Sequence, residues 1–229
     1  MTDAVAALRR EVCALHAELP RNGLVAWTSG NLSARVPGEE LMVIKASGVP
    51  YDALDPDAIV VCDLNGEVVD GSMQPSSDAA THGHVYREMA NVGGVAHTHS
   101  PYATAWAIHG EPIPCAMTAM ADEFGGEIPI GPFALIGDDE IGRGVAETLA
   151  AHRSPAVLMR SHGVFTIGAS ARDAVKSAVM CEDVARTAYL ARTLGPVEAL
   201  EAGHVDALWE RYQNVYGQRR RMATRRNRS

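Results

Sequence analysis

The chain has 229 residues, a net charge of −8, 47% hydrophobic residues and 21% charged ones. That length suits one large domain with a full apolar core, and the composition is that of a soluble globular protein. No apolar run reaches membrane-spanning length, and the first residues lack the basic, apolar and small-residue succession of a secretion signal.

The four cysteines, Cys13, Cys62, Cys115 and Cys181, show no paired spacing. This argues against a cysteine metal site and suits a reducing cytoplasm, the expected location. Charge is uneven: residues 218–229 hold six arginines and no acid, which leaves −14 on residues 1–217. The acidic body extends no basic face from this end, so the stretch reads as a disordered, solvated tail. The expected division is a domain over 1–217 and a tail over 218–229, with neither a membrane nor a nucleic-acid partner. Only Lys45 and Lys176 are lysines, against eighteen arginines, which singles out each of them.

Residues 4–19 space apolar positions three and four apart and predict an amphipathic helix. The polar loop TSGN then runs into a short strand, and ELMVIKAS predicts a second strand ending at SGVP. IVVCDL and EVVDG flank Asn65-Gly66, a strong hairpin signal. Ser76-Ser77-Asp78 predicts the capped start of a helix running to about Met89. GGVAHTH predicts a strand, and Ser100 and Pro101 fit the N-cap and first position of a helix through Ile108. EIPIGP predicts a further strand, DDEIGRGVAETLAAH a helix, and AVLMRSHG with VFTIG two strands. A long helix spans 170–194, Gly195-Pro196 breaks it, and 197–215 is a last helical segment. Strands that follow one another through hairpins predict one α/β domain of three layers, a largely antiparallel sheet flanked by helices.

The stretch GGVAHTHSPYATAWA carries the first chemical signal. Residues two apart on a strand face one side, so His97 and His99 can converge on one ion. His82 and His84 have the same spacing on a predicted helix, where two residues subtend about 200° and point apart. A third ligand is expected from His162, which closes an apolar strand before Gly163, the residue expected to let the backbone turn. Three histidines with an open position describe a catalytic zinc site, with room for a carboxylate ligand. The competing reading makes His97 and His99 satisfied core histidines; two on one face before a polar loop favour the ion.

Ser29-Gly30-Asn31, Ser47-Gly48 and Ser76-Ser77 are Ser/Gly-rich turns, the last at a predicted helix N-terminus suited to an anion. Taken singly each is a loop or a cap. Lys45 lies two residues before Ser47, where a compact ammonium suits an enolate or phosphate oxygen.

The segments SGN, KASG, PSSD, HTH, MADEF, RSHG and VYGQ, in that order, resemble the class II aldolase and L-ribulose-5-phosphate 4-epimerase family over residues 24–218. Within it the likeness is greatest to the epimerase branch. The resemblance implies a divalent ion, Zn2+ or alternatively Mn2+ or Co2+, on Asp78, His97, His99 and His162. It implies substrate or phosphate contacts at Gly30, Asn31, Ser47, Gly48, Ser76 and Ser77, and an acid/base pair of Asp122 and Tyr216. It also implies a homotetramer with active sites between subunits, acting on a pentulose phosphate. Family aldolases have glutamate where this chain has Asp78, and the shorter side chain is better suited to ligation than to proton transfer.

Without the resemblance, Asp78 reads as a first-turn helix charge or, with His82, as a ligand pair. Asp122 reads as a turn residue, and Tyr216 as a residue packed on the body. The implied activity interconverts L-ribulose 5-phosphate and D-xylulose 5-phosphate by breaking and remaking the carbon 3–carbon 4 bond, since the proton on carbon 4 is not acidic. A sugar-phosphate aldolase of the fuculose-phosphate type, a related dehydratase, and a binding protein with a structural metal are the alternatives.

Overall fold

The computed structural model describes residues 3–137 and 139–215; the expectations for Tyr216 and for the stretch 218–229 fall outside them. The chain opens with α1 (Asp3–His16), which buries Val5, Val12 and Leu15 on one face, and a short α2 (Glu18–Arg21). Four strands follow: β1 (Asn31–Arg35), β2 (Leu41–Lys45), β3 (Ile59–Asp63) and β4 (Val68–Asp70). The β3–β4 hairpin turns at Asn65-Gly66 as the sequence predicts. Asp63 accepts from the backbone N–H groups of Asn65 and Glu67, both at 2.9 Å, and Gly66 takes the left-handed φ of 92° that the turn requires.

The second half contributes α3 (Ala79–Glu88), β5 (Gly94–Thr98), α4 (Pro101–His109), α5 (Thr118–Phe124) and β6 (Ile130–Gly131). After them come α6 (Glu140–Ala150), β7 (Ala156–Met159), β8 (Gly163–Gly168), α7 (Ala171–Leu194) and α8 (Ala202–Val215). The eight strands form one sheet in the order β4-β3-β2-β1-β5-β8-β7-β6, antiparallel throughout except between β6 and β7.

Strand alternation sends side chains to two cores. On one face Met42, Ile44, Val60 and Phe165 pack with Val85 and Tyr86 of α3 and Ile141 and Val145 of α6. On the other, Val43, Val61 and Ala96 pack under α1 and α7, while Leu158 and Val164 pack under α4, α5 and α7. Three layers result, as expected for a sheet with two apolar faces.

Several local expectations need correction. Residues 118–124 are helical, so Asp122 is not a turn residue; the turn falls at Gly125, whose left-handed φ of 63° ends α5. The predicted strand at EIPIGP shortens to two residues, and the last helix starts at Ala202 rather than 197. Ser100 occupies the N-cap of α4 without capping it. Glu182 of α7 does that work from outside, accepting from the backbone N–H groups of Tyr102 and Ala103 at 2.9 Å each. An ionised carboxylate suits the positive end of a helix better than a hydroxyl does.

Candidate active site

Antiparallel pairing brings the start of β1, the ends of β2 and β5 and the start of β8 to the same end of the sheet's central strands. Asn31 faces His97 across β1 and β5, and Thr98 faces Val164 across β5 and β8. A cavity of about 260 Å³ opens there. Thr28 to Asn31, Lys45 to Gly48, Ser76 to Asp78, His97, His99, Ile136 and His162 line it. Every expected ligand and anion-turn residue, and Lys45, therefore meets at one place.

The three imidazoles form a group whose ligand nitrogens lie within 4.8 Å of one another. His97 is buried and stacks on Phe165 at 4.2 Å and 14°. Its Nδ1–H donates to the Val164 carbonyl at 2.9 Å, which leaves Nε2 with the lone pair. That nitrogen lies 3.0 Å from Nε2 of His99, which sits just beyond the end of β5. Burial lowers the pKa of all three imidazoles, with the Asp78 charge opposing it, so the neutral, metal-binding form is favoured. His162 keeps a buried Nδ1 with no hydrogen-bond partner among the described residues. Three ring nitrogens this close, one of them already fixed as an acceptor, make a donor set that fits a divalent ion.

His162 comes from the β7–β8 turn, where its backbone N–H donates to the Met159 carbonyl at 3.0 Å. The sequence reading assigned the turn's backbone freedom to Gly163, but the left-handed residue is Ser161, with φ 56°. Gly163 serves space instead: a Cβ there would lie 2.6 Å from the Thr98 carbonyl and 2.7 Å from His99 Cδ2. At Gly30 both reasons apply, since φ is 75° and a Cβ would lie 2.8 Å from the His97 carbonyl.

Asp78 sits at the N-cap of α3 but makes no cap bond. Its Oδ2 accepts from Asn31 Nδ2 at 2.6 Å, and Asn31 also donates to Ser76 Oγ at 2.9 Å. Burial pushes the Asp78 carboxyl up, yet His97, His82, the Asn31 amide and His162 together hold it below the usual carboxylate range. It lines the cavity without joining the tight group of three nitrogens. Lys45 is almost fully buried, its Nζ 5.4 Å from the Tyr51 ring centroid and donating to the Ala46 carbonyl at 3.2 Å. Burial lowers its pKa.

His82 and His84 do point apart, as the helical reading requires: His82 bonds Ser33 Oγ at 2.7 Å, and His84 bonds Asp139 at 3.0 Å. Asp122 is absent from the lining of this cavity; on α5 it accepts from Arg211 of α8 at 3.2 and 3.3 Å. The sequence reading missed Tyr51, which anchors the Ser29-Gly30 turn by donating to both carbonyls, at 2.9 and 3.1 Å. Nothing in its local pattern marked it, because the contact spans 21 residues of chain.

A sequence profile of the Class II Aldolase and Adducin N-terminal domain family matches residues 10–189. Among solved structures, the chain is similar to an L-fuculose 1-phosphate aldolase, with 26% identity and a TM-score of 0.84 over 90% of this chain and 96% of that one. It is also similar to YgbL of Klebsiella pneumoniae, described as a putative aldolase/epimerase/decarboxylase, at 28% identity and TM-score 0.77 over 90% and 100% of the two chains. An L-fuculose-1-phosphate aldolase from Thermus thermophilus, 23% identical with TM-score 0.69 over 86% and 100%, shares the fold. With the profile spanning most of the sequence and three imidazoles gathered at the ends of the central strands, the chain belongs to the Class II Aldolase and Adducin N-terminal domain family.

Proposed function

We propose that the protein is a zinc-dependent L-ribulose-5-phosphate 4-epimerase, with Asp78, His97, His99 and His162 holding the ion. The carrying observation is the carboxylate beside the imidazoles: a short aspartate, buried and tied to Asn31 at 2.6 Å. An aldolase must deliver a proton to carbon after cleavage, which calls for a carboxylate that can reach and move. An epimerase rejoins the same two carbons and needs proton transfer only at an oxygen.

When bound, the divalent ion supplies Lewis acidity to the carbonyl and adjacent hydroxyl oxygens of the sugar. The protein's own groups do the rest. One of Asp122 and Tyr216 takes the proton from the carbon 4 hydroxyl as the carbon 3–carbon 4 bond breaks, leaving the dihydroxyacetone enediolate and glycolaldehyde phosphate. Lys45 offsets the enediolate charge in a buried setting, where such a charge pair is strong. The turns at Gly30-Asn31, Ser47-Gly48 and Ser76-Ser77 hold the phosphate while the aldehyde rotates. The bond re-forms on the other face, and the second member of the pair returns a proton to oxygen 4.

Because Asp122 does not line its own chain's cavity, this chemistry requires a second copy to supply it. We therefore take the active sites to be shared between copies, in the homotetramer that the family resemblance implies. Exposed Phe133, Leu135 and Ile136 support this, Ile136 lying on the cavity wall as an apolar surface that suits burial. A sugar-phosphate aldolase is the second reading, favoured by the likeness to the L-fuculose 1-phosphate aldolase. Incubating the zinc-loaded protein with L-ribulose 5-phosphate separates the two. Conversion to D-xylulose 5-phosphate is expected; net release of dihydroxyacetone and glycolaldehyde phosphate would select the aldolase.

A further inference from the structure

Away from the cavity of the three histidines, three helices meet at one polar knot. Glu123 of α5 is only 8% exposed, and a carboxylate so buried is costly unless paired. Lys176 of α7, one of the chain's two lysines, donates to Glu123 Oε2 at 2.7 Å and to the Tyr212 hydroxyl at 2.9 Å. Tyr212 of α8 donates in turn to Glu123 Oε2 at 2.8 Å. The triangle is closed, so α8 can slide along α5 only by breaking a charge-assisted bond in a part-buried setting.

The adjacent residues repeat the pairing. Asp122, next to Glu123, is bonded to Arg211, next to Tyr212. One turn earlier on α8, Trp209 packs against Gly125 so closely that a Cβ on the glycine would lie 2.9 Å from the indole. Three successive ties thus fix the register of α8 on α5 at the residue that the proposed mechanism uses. Tyr216, its partner in that mechanism, is four residues after Tyr212 in the sequence.

We propose that Glu123, Lys176 and Tyr212 are positioning residues for the acid/base pair, a clasp that presents Asp122 at a fixed height to the neighbouring subunit's site. The proposal rests on the assignment of Asp122 to proton transfer. A misplacement of about 1 Å costs a proton-transfer step on the order of 100-fold while leaving substrate binding and the metal site largely alone. The knot stands outside the cavity that holds those.

Tyr212→Phe removes one hydroxyl and keeps the ring. The test compares it with Asp122→Asn and with the double variant, all zinc-loaded, in turnover of L-ribulose 5-phosphate. For Tyr212→Phe, kcat should fall at least about 10-fold with KM and bound zinc within about twofold of wild type. Added to Asp122→Asn it should cost nothing further, since both act on one step. Hydrogen exchange at the backbone of residues 118–124 should quicken in Tyr212→Phe. An inactive Asp122→Asn beside a fully active Tyr212→Phe overturns the clasp and leaves the functional reading standing, as does a loss that multiplies in the double variant. A fully active Asp122→Asn removes the functional reading and the clasp with it. Should Tyr212→Phe not fold, Lys176→Gln, at a half-exposed member of the clasp, carries the same comparison with the same outcomes.

Discussion

At the scale of single residues, the site depends on what is absent as much as on what is present. Gly163 packs a bare Cα between the Thr98 carbonyl and the edge of His99, and no methyl group fits there without moving one of them. Gly163→Ala should therefore destabilise the fold by about 1–3 kcal/mol, the usual cost of overpacking. Zinc affinity should fall ~10–100-fold, the loss typical when the support of a ligand is disturbed. Denaturant titration and equilibrium dialysis read the two effects separately; wild-type affinity in the alanine variant would show that His99 is not held by this contact. Sequence reasoning found the right residue here for a different reason. A glycine after a histidine suggests a turn, and only the packing of β5 on β8 reveals that the demand is for space while Ser161 takes the left-handed backbone.

Among the elements, the join between α1 and β1 carries a pH dependence of its own. His16 ends α1 fully buried; its Nδ1–H donates to the Val12 carbonyl at 2.8 Å and its Nε2 accepts from the Leu32 backbone N–H at 3.1 Å. Only the neutral ring can do both, and burial lowers its pKa to about 4. The folded pKa lies below the unfolded one, so the unfolded chain takes up the proton first. Stability from this group is full above the unfolded value near 6.5 and is lost as pH falls toward 4. Between pH 7 and pH 5 the wild type should lose about 2 kcal/mol through this group that His16→Gln does not lose. Denaturant melts of both proteins at the two pH values measure the difference; parallel losses would contradict the assignment.

Element type was legible wherever a period or a turn signal lay within the segment itself, as in α1, the β3–β4 hairpin and α7. It was not legible where the deciding partner was distant. Glu182 caps α4 from about 80 residues away, and α5 is held as a helix by packing against α8 and α7. The cluster of His97, His99 and His162 was readable because strand spacing and a hairpin turn are local features. Asp122 and Lys176 gain their meaning only from helices that meet across the fold.

For the whole molecule, Asp122 does not line its own chain's cavity, so the role proposed for it can be tested through assembly. No helix among the described residues is long and apolar enough to cross a membrane. If active sites are shared around a ring of four, His97→Asn and Asp122→Asn should each be nearly inactive alone. Co-expressed in equal amounts they should recover about a quarter of wild-type activity. That follows because a site needs an intact histidine set from one chain and an intact carboxylate from the next. An inactive mixture that still forms mixed tetramers would confine each site to one chain.

Three imidazoles meet closely enough to hold a single divalent ion. Calorimetric titration of zinc into chelator-stripped protein tests this most directly. One ion per chain should bind to the wild type and none to His97→Ala. Wild-type protein that takes up no zinc, or a His97→Ala variant that binds it as tightly, would contradict the account.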